Sequence, residues 1–285
     1  MDNIFTILIL SSPLLLASFG ALVSENAGVM AVFIDGIISL SAFLFFSFTV
    51  LFQNPVYAAI LTLFLCSILL LASSFYATKT KANPFLVGLA INLLSTGLIA
   101  LFSSIFFHTQ GVLTNHAFFN SYTSNLSRSW GTVLSFCLVL FFSLFYKKTK
   151  PGLALQITGL ESEVLYQQGL KPRFFRHFSW IIASLFASLS GILLVLRLSS
   201  FVPNISAGRG WIALAIVFFG RKKPLGVLLA VLVFASAEWA SVFLQNTGML
   251  ENVSSGIFIA LPYLVSLILF ALLPQKNNKN SIKNQ

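Results

Sequence analysis

The chain has 285 residues; 57% are hydrophobic and only 8% are charged, with a formal net charge of +10. A soluble domain of this size carries about 25% charged residues, so a mean hydropathy of +0.92 excludes a water-facing globule and makes lipid the solvent. The positive charge is no nucleic-acid signal: Lys and Arg fall between or after apolar runs, the positive-inside pattern, and are not interleaved with exposed aromatics.

A membrane-spanning helix needs about 20 mostly apolar residues. Runs of that kind cover 4–23, 29–52, 55–77, 84–107, 130–146, 177–200, 225–244 and 255–274. A ninth, 211–220, is too short to cross alone and reads as a half-helix or re-entrant piece extended by 201–210. The start, Met1-Asp2-Asn3, lacks a positive n-region, and the run after it is long enough to span, so a cleaved signal peptide is not expected. These runs predict an all-α polytopic membrane protein of about eight or nine transmembrane helices, one membrane domain over 1–274. The tail 275–285 is polar, lacks aromatics and is expected to be disordered and cytoplasmic.

Orientation follows from charge. Lys79 and Lys81, Lys147–Lys150 with Lys171–Arg176, Arg221–Lys223, and the tail lysines 276, 279 and 283 all fall on one side when nine crossings are threaded from an external N-terminus. Tyr76, Trp130, Tyr146 and Trp180 at run ends fit interfacial belts. Ala27-Gly28 and Ala207-Gly208 each open an apolar run, with Gly36 and Gly220 further along; such matched interruptions can mark a central site in two related halves.

Polar residues inside apolar runs are the site candidates. Asp35 lies well inside the second run, where an acid costs about 2.5–3.5 kcal/mol on insertion scales and must face the bundle interior. Gly36 beside it lets the backbone break and line a cavity. Asn92, Ser95 and Thr96 share a helix face with Gly88, which suits either close helix packing or a polar path. Glu238 is a further intramembrane acid, and Trp211 opens the short run. Arg197 can snorkel and His177 reads as interfacial. His108 and His116 have no third ligand at metal spacing, and Cys66 and Cys137 read as buried small apolar residues, so neither metal nor cofactor is expected.

Gly152–Pro172 is the polar island with a helix pattern. Thr158 and Glu161 have capping-box spacing, which opens a helix at Gly159. Gly169 can close it in the left-handed conformation, with Pro172 beyond. Leu160, Val164 and Leu165 fall on one side of so short a helix, and a helix of roughly ten residues needs a partner for its apolar face. The partner is either a cytoplasmic subunit or the protein's own bundle. No phosphate-binding Gly-x-x-x-x-Gly-Lys-Ser/Thr loop, Gly-x-Ser-x-Gly elbow or His-Glu-x-x-His motif occurs, so no catalytic constellation is visible.

Four blocks carry a family resemblance: Pro13–Phe43, Gly88–Leu98, Gly152–Pro172, and Ser206–Ala235 with Leu261–Leu272 behind it. In this order they resemble the inner-membrane permease subunits of bacterial ABC importers, in the ribose, simple-sugar and nucleoside branch. Asn92, Gly208-Arg209-Gly210, Ala213, Ala215, Gly220, Pro224 and Gly226 sit where the family pattern has them. Ala31 stands at a usual Asn, Asp35 at a usual Glu, Gln156 at a usual Arg, and Val164-Leu165 at small residues. The resemblance implies a non-catalytic subunit of the bacterial inner membrane. Asp35, Gly36, Asn92, Ser95, Trp211 and Glu238 would lie on the substrate path. Thr158, Gly159, Leu160, Glu161, Glu163, Val164 and Gly169 would form the coupling loop (147–176). The implied partners are ABC ATPase subunits, a second permease, often a paralogue, and an extracytoplasmic solute-binding protein or lipoprotein, all in membrane lipid. The departures at Ala31 and Asp35 leave an altered solute such as riboflavin open beside nucleosides and sugars. The competing expectation is a stand-alone ion-coupled transporter that uses Asp35 and Glu238.

Overall fold

The computed structural model describes residues 2–114 and 125–246. Over these it is built of ten helices: α1 (Asp2–Asn26), α2 (Ile34–Phe52), α3 (Pro55–Thr80), α4 (Pro84–Phe107), α5 (Asn125–Lys148), α6 (Lys150–Leu160), α7 (Ser162–Gln167), α8 (Pro172–Leu198), α9 (Arg209–Phe219) and α10 (Pro224–Asn246). Seven of them are long and apolar enough to cross a membrane, and α9 is the short apolar helix expected over 211–220. The run 255–274, the tail 275–285 and His116 lie outside the described residues.

Local chemistry sets the helix starts. Asn54 accepts from the Val56 and Tyr57 amides, Asn83 from that of Phe85, and Thr149 from that of Gly152. Each of these caps precedes a proline in the first turn, where its missing N–H costs nothing.

Three helices form the centre. α8 packs along both α1 and α2, α3 covers α8 and α2, and α9 and α10 cover α1. Small residues permit the close approach. A Cβ on Gly20 would lie 3.1 Å from the Ala183 carbonyl and from the Phe186 side chain. One on Gly191 would collide with Ser41 Oγ and the Ile38 carbonyl. The outer helices show large apolar side chains instead, such as Leu93 at 76% and Phe141 at 73% exposure, which suits lipid contact.

The basic clusters gather at one end. The α1 terminus meets Gly159, and the Asn26 amide donates to the Lys222 carbonyl at 3.2 Å. Lys81, Arg173 and Arg176 line one cleft at that end. The opposite end carries a two-residue ladder that pairs β1 (Leu113–Thr114) with β2 (Ser200–Phe201), antiparallel. The gathering of Lys and Arg agrees with the charge reading.

Two interruptions define the interior. The chain turns at 27–33 after α1, so the run 29–52 is not one helix; helical structure resumes only at Ile34. Another non-helical stretch, 202–208, precedes α9. The N-termini of α2 and α9 meet inside the bundle, and the two helices leave in opposite directions. The pair α1–α2 is thus answered by the inverted pair α8–α9. This corrects the expected match of Ala27-Gly28 with Ala207-Gly208. Gly28 packs on Gly159 at the basic end, whereas Gly208, at φ +75°, caps α9 within the bundle.

Three further expectations are corrected. Tyr146 and Trp180 are not belt residues: both are 2% exposed, and Trp180 stacks on Phe33 at 4.7 Å. Tyr76 and Trp130 do face outward. Cys137 is exposed on the outer face of α5, while Cys66 is buried.

Gly191→Ala should force α2 from α8 and lower stability by about 1–3 kcal/mol. The looser Gly20→Ala should cost less, and melting temperatures of the two purified variants check the order.

Candidate functional site

The α2–α9 junction is built from groups that the broken backbone leaves unpaired. A helix start has four amides without intrahelical partners, and no water is available inside a bilayer. Neither start is capped by its own preceding side chain. The Gly36 amide donates to Asn92 Oδ1 at 2.8 Å, and Asn92 Nδ2 donates to the Val32 carbonyl at 2.9 Å. One amide side chain of α4 therefore satisfies both sides of the break before α2.

Asp35 does the same for α9. Its Oδ1 accepts from the Gly210 amide at 2.9 Å, and its Oδ2 accepts from Ser206 Oγ at 3.1 Å. The carboxylate thus sits on the N-terminus of a helix other than its own, where the macrodipole favours negative charge. Gly210 has no room for a side chain, because a Cβ there would strike the Asp35 backbone.

A cavity of about 300 Å³ opens beside this junction. Asp35, Ser39, Asn92, Thr96 and Asn204 supply carboxylate, hydroxyl and amide groups, and Ile99 and Phe201 supply apolar wall. Gly36 also lines it. Ser95 does not: it is buried against Gly36, 3.1 Å from where a Cβ would be. Glu238 and Trp211 are not among the lining residues. Glu238 pairs with Arg209 at 2.6 Å, and Trp211 is 46% exposed on α9.

Sequence reasoning missed Glu25. It is buried at the end of α1, accepts from the Ala31 amide at 3.2 Å and pairs with Lys222 Nζ at 3.2 Å. It therefore ties the turn 27–33 to the turn between α9 and α10. Only its place just before Asn26-Ala27-Gly28, at the edge of an apolar run, could have marked it.

The polar island differs from its expected form. Thr158 is not an N-cap: it lies in the last turn of α6, where its hydroxyl donates to the Ala154 carbonyl at 2.6 Å. The cap is Thr149, so one helix starts nine residues early and a second, α7, follows the break at Glu161. Leu160, Val164 and Leu165 do not share a face. Leu160 is 83% exposed, Val164 is half-buried and Leu165 is fully buried. Gly169 does close α7 at φ +74°, with the Leu170 amide donating to the Leu165 carbonyl at 2.9 Å. Glu161 and Glu163 are exposed beside Leu160. Gly159 seats α6 on the α1 turn, where a Cβ would collide with the Asn26 carbonyl.

Inward-facing broken helices around a polar cavity, inside a shell of lipid-facing spans, define a membrane permease. The chain belongs to the family described as the branched-chain amino acid transport system permease component, whose model matches residues 3–273. The guanosine ABC transporter permease protein NupQ of Bacillus subtilis is 24% identical, over 92% of this chain and 88% of its own length. The nucleoside ABC transporter permease protein NupC of Lactococcus lactis is 25% identical over 98% and 96%. The putative glucose ABC transporter permease protein TsgC13 of Haloferax volcanii is 29% identical over 79% and 72%. The solved structure of PsaBC from Streptococcus pneumoniae in complex with Fab has the same fold, at TM-score 0.56 and 15% identity over 96% of this chain and 93% of that one. The chain is thus a multi-pass inner-membrane ABC permease, similar in sequence to permeases of the nucleoside and simple-sugar branch, a class of subunit that is normally non-catalytic.

Asp35→Ala should remove the α9 cap and lower stability by about 0.5–2 kcal/mol, whereas Asp35→Asn, which keeps an acceptor, should lose less. Glu25→Ala should leave the Ala31 amide unpaired and cost about 1–3 kcal/mol. Thermal unfolding of the detergent-solubilised variants checks both.

Proposed function

We propose that the chain is one transmembrane half of an ATP-driven importer and forms, with a second permease subunit, the path for a small polar solute of the nucleoside or simple-sugar class. The observation that carries this reading is the cavity at the α2–α9 junction. Its carboxylate and amides accept hydrogen bonds from hydroxyl-rich solutes, and its hydroxyls both donate and accept. Asp35, Gly36 and Asn92 are the path residues on this reading; Ser95 supports them from behind. The relatives named for guanosine, nucleoside and glucose transport support the solute class.

Energy would enter at α6 and α7. Leu160, Glu161, Glu163 and Tyr166 form an outward ridge on the basic end, which an ABC ATPase subunit would grip. Thr158, Gly159, Val164 and Gly169 shape that ridge. An extracytoplasmic solute-binding protein or lipoprotein would deliver solute at the end marked by the β1–β2 ladder. Against a stand-alone ion-coupled carrier stand the partners of its two acids: Glu238 is held by Arg209 and Asp35 by the start of α9.

The test is uptake by the complex in liposomes, with nucleosides, simple sugars and riboflavin offered in turn. Import should require ATP and the ATPase subunit; uptake driven by an ion gradient without the ATPase overturns the reading. Glu161→Lys or Glu163→Lys should abolish ATP-driven uptake while membrane insertion stays normal, and wild-type uptake in those variants removes the docking role. Asp35→Ala should cut uptake at least tenfold.

A further inference from the structure

A second cavity lies away from the proposed path, between α3 and α8 at the basic end and bordered by Tyr166 of the α7 ridge, with a volume of about 590 Å³. Its walls are Leu71 and Phe75 of α3 and Phe174 and Phe178 of α8; its rim carries Lys171 and Arg173. The wall residues are spaced four apart on each helix, so each pair forms one ridge along its helix. Phe75 is 56% and Phe174 is 63% exposed. The His177 ring lies 4.3 Å from that of Phe75, and its Nδ1 is 2.7 Å from Ser74 Oγ, which fixes the wall from behind. Both helices are long and apolar enough to cross a membrane; Lys171 and Arg173 stand at the start of α8, and Leu71, Phe75 and Phe178 lie further along the spans from that end.

We propose that this cleft holds one acidic phospholipid, with its phosphate on Lys171 and Arg173 and an acyl chain along Leu71, Phe75 and Phe178. Charge complementarity selects the occupant. Among the described residues neither cation forms an ion pair with a carboxylate, unlike Arg209 with Glu238 and Lys222 with Glu25. Arg173 also lines the adjoining cleft with Lys81 and Arg176, which deepens the positive field at this level. Each cation near an anionic leaflet contributes about 1 kcal/mol, which corresponds to about a fivefold change in affinity. A zwitterionic lipid fits the walls equally well but lacks the net negative charge that the rim would attract.

Native mass spectrometry of the purified full-length protein, with phosphatidylglycerol or phosphatidylcholine added, tests the proposal. The wild type should retain phosphatidylglycerol selectively. The double variant Lys171→Gln/Arg173→Gln should lose about 25-fold in affinity for it, at about fivefold per cation. Lys147→Gln/Lys148→Gln, which removes the same charge elsewhere on the basic end, should change it less than twofold. Equal retention of both lipids overturns the proposal, as does unchanged affinity in the first variant. So does an Arg173→Cys cross-link to a protein subunit of the assembled transporter.

Discussion

The structure depends on a constraint imposed by lipid: a backbone amide or carbonyl that leaves a helix must be satisfied by protein or face a polar cavity, because acyl chains offer no hydrogen-bond partner. Two helices begin inside the bundle, so unpaired amides meet at its centre. Asn92 and Asp35 satisfy them from neighbouring elements, one as an amide that both donates and accepts, the other as a carboxylate that only accepts. Polar side chains that would be costly in a continuous span become structural requirements here. The same breaks create the cavity, since backbone that is not helical leaves space a helix would fill. Architecture and candidate path are therefore one feature rather than a scaffold with a site added to it.

The basic end is organised by a different economy of contact. Gly159 presses on Asn26 and Gly28, the Asn26 amide donates to the Lys222 carbonyl, and Glu25 holds Lys222. Arg221 and Lys222 adopt positive φ of 52° and 54° to make that turn. The residues next to α6 are thus joined to the turn 27–33, and that turn runs directly into Asp35. A continuous series of contacts connects the exposed ridge of α6 and α7, through the turn 27–33, to the junction.

Much of this was legible in the sequence. Apolar run length located the spans, and the Lys and Arg clusters identified their common end, because both signals are set by composition alone. Asp35 and Asn92 stood out as polar residues in apolar surroundings. The break was expected at Gly36, but Gly36 lies inside α2 and the break precedes it at 27–33; composition could not place it, since the side chain that permits it lies 56 residues from Gly36. Glu25 looked like an ordinary edge residue because its partner is 197 positions away. Tyr146 and Trp180 matched an interfacial belt in type and place, but both rings are buried, Tyr146 stacked on Phe142 and Trp180 on Phe33. At Thr158 two local patterns competed. A threonine followed by proline at the helix start prevailed over a capping box, and the Thr158 hydroxyl bonded back to its own helix instead.

The Asp35 contact has a consequence for how the protein is made. Its two partners, Ser206 and Gly210, are synthesised 171 and 175 residues later. Until α9 arrives, the Asp35 carboxylate has only the first turn of its own helix beside it, without the Gly210 amide or the Ser206 hydroxyl, at a depth where lipid penalises charge. Membrane integration of the first half is thermodynamically incomplete on its own. The early helices gain by staying near the insertion machinery, and near its water, until the second half emerges. Truncations that end before α9 should accordingly be handled by the cell as unfinished membrane proteins rather than as smaller stable ones.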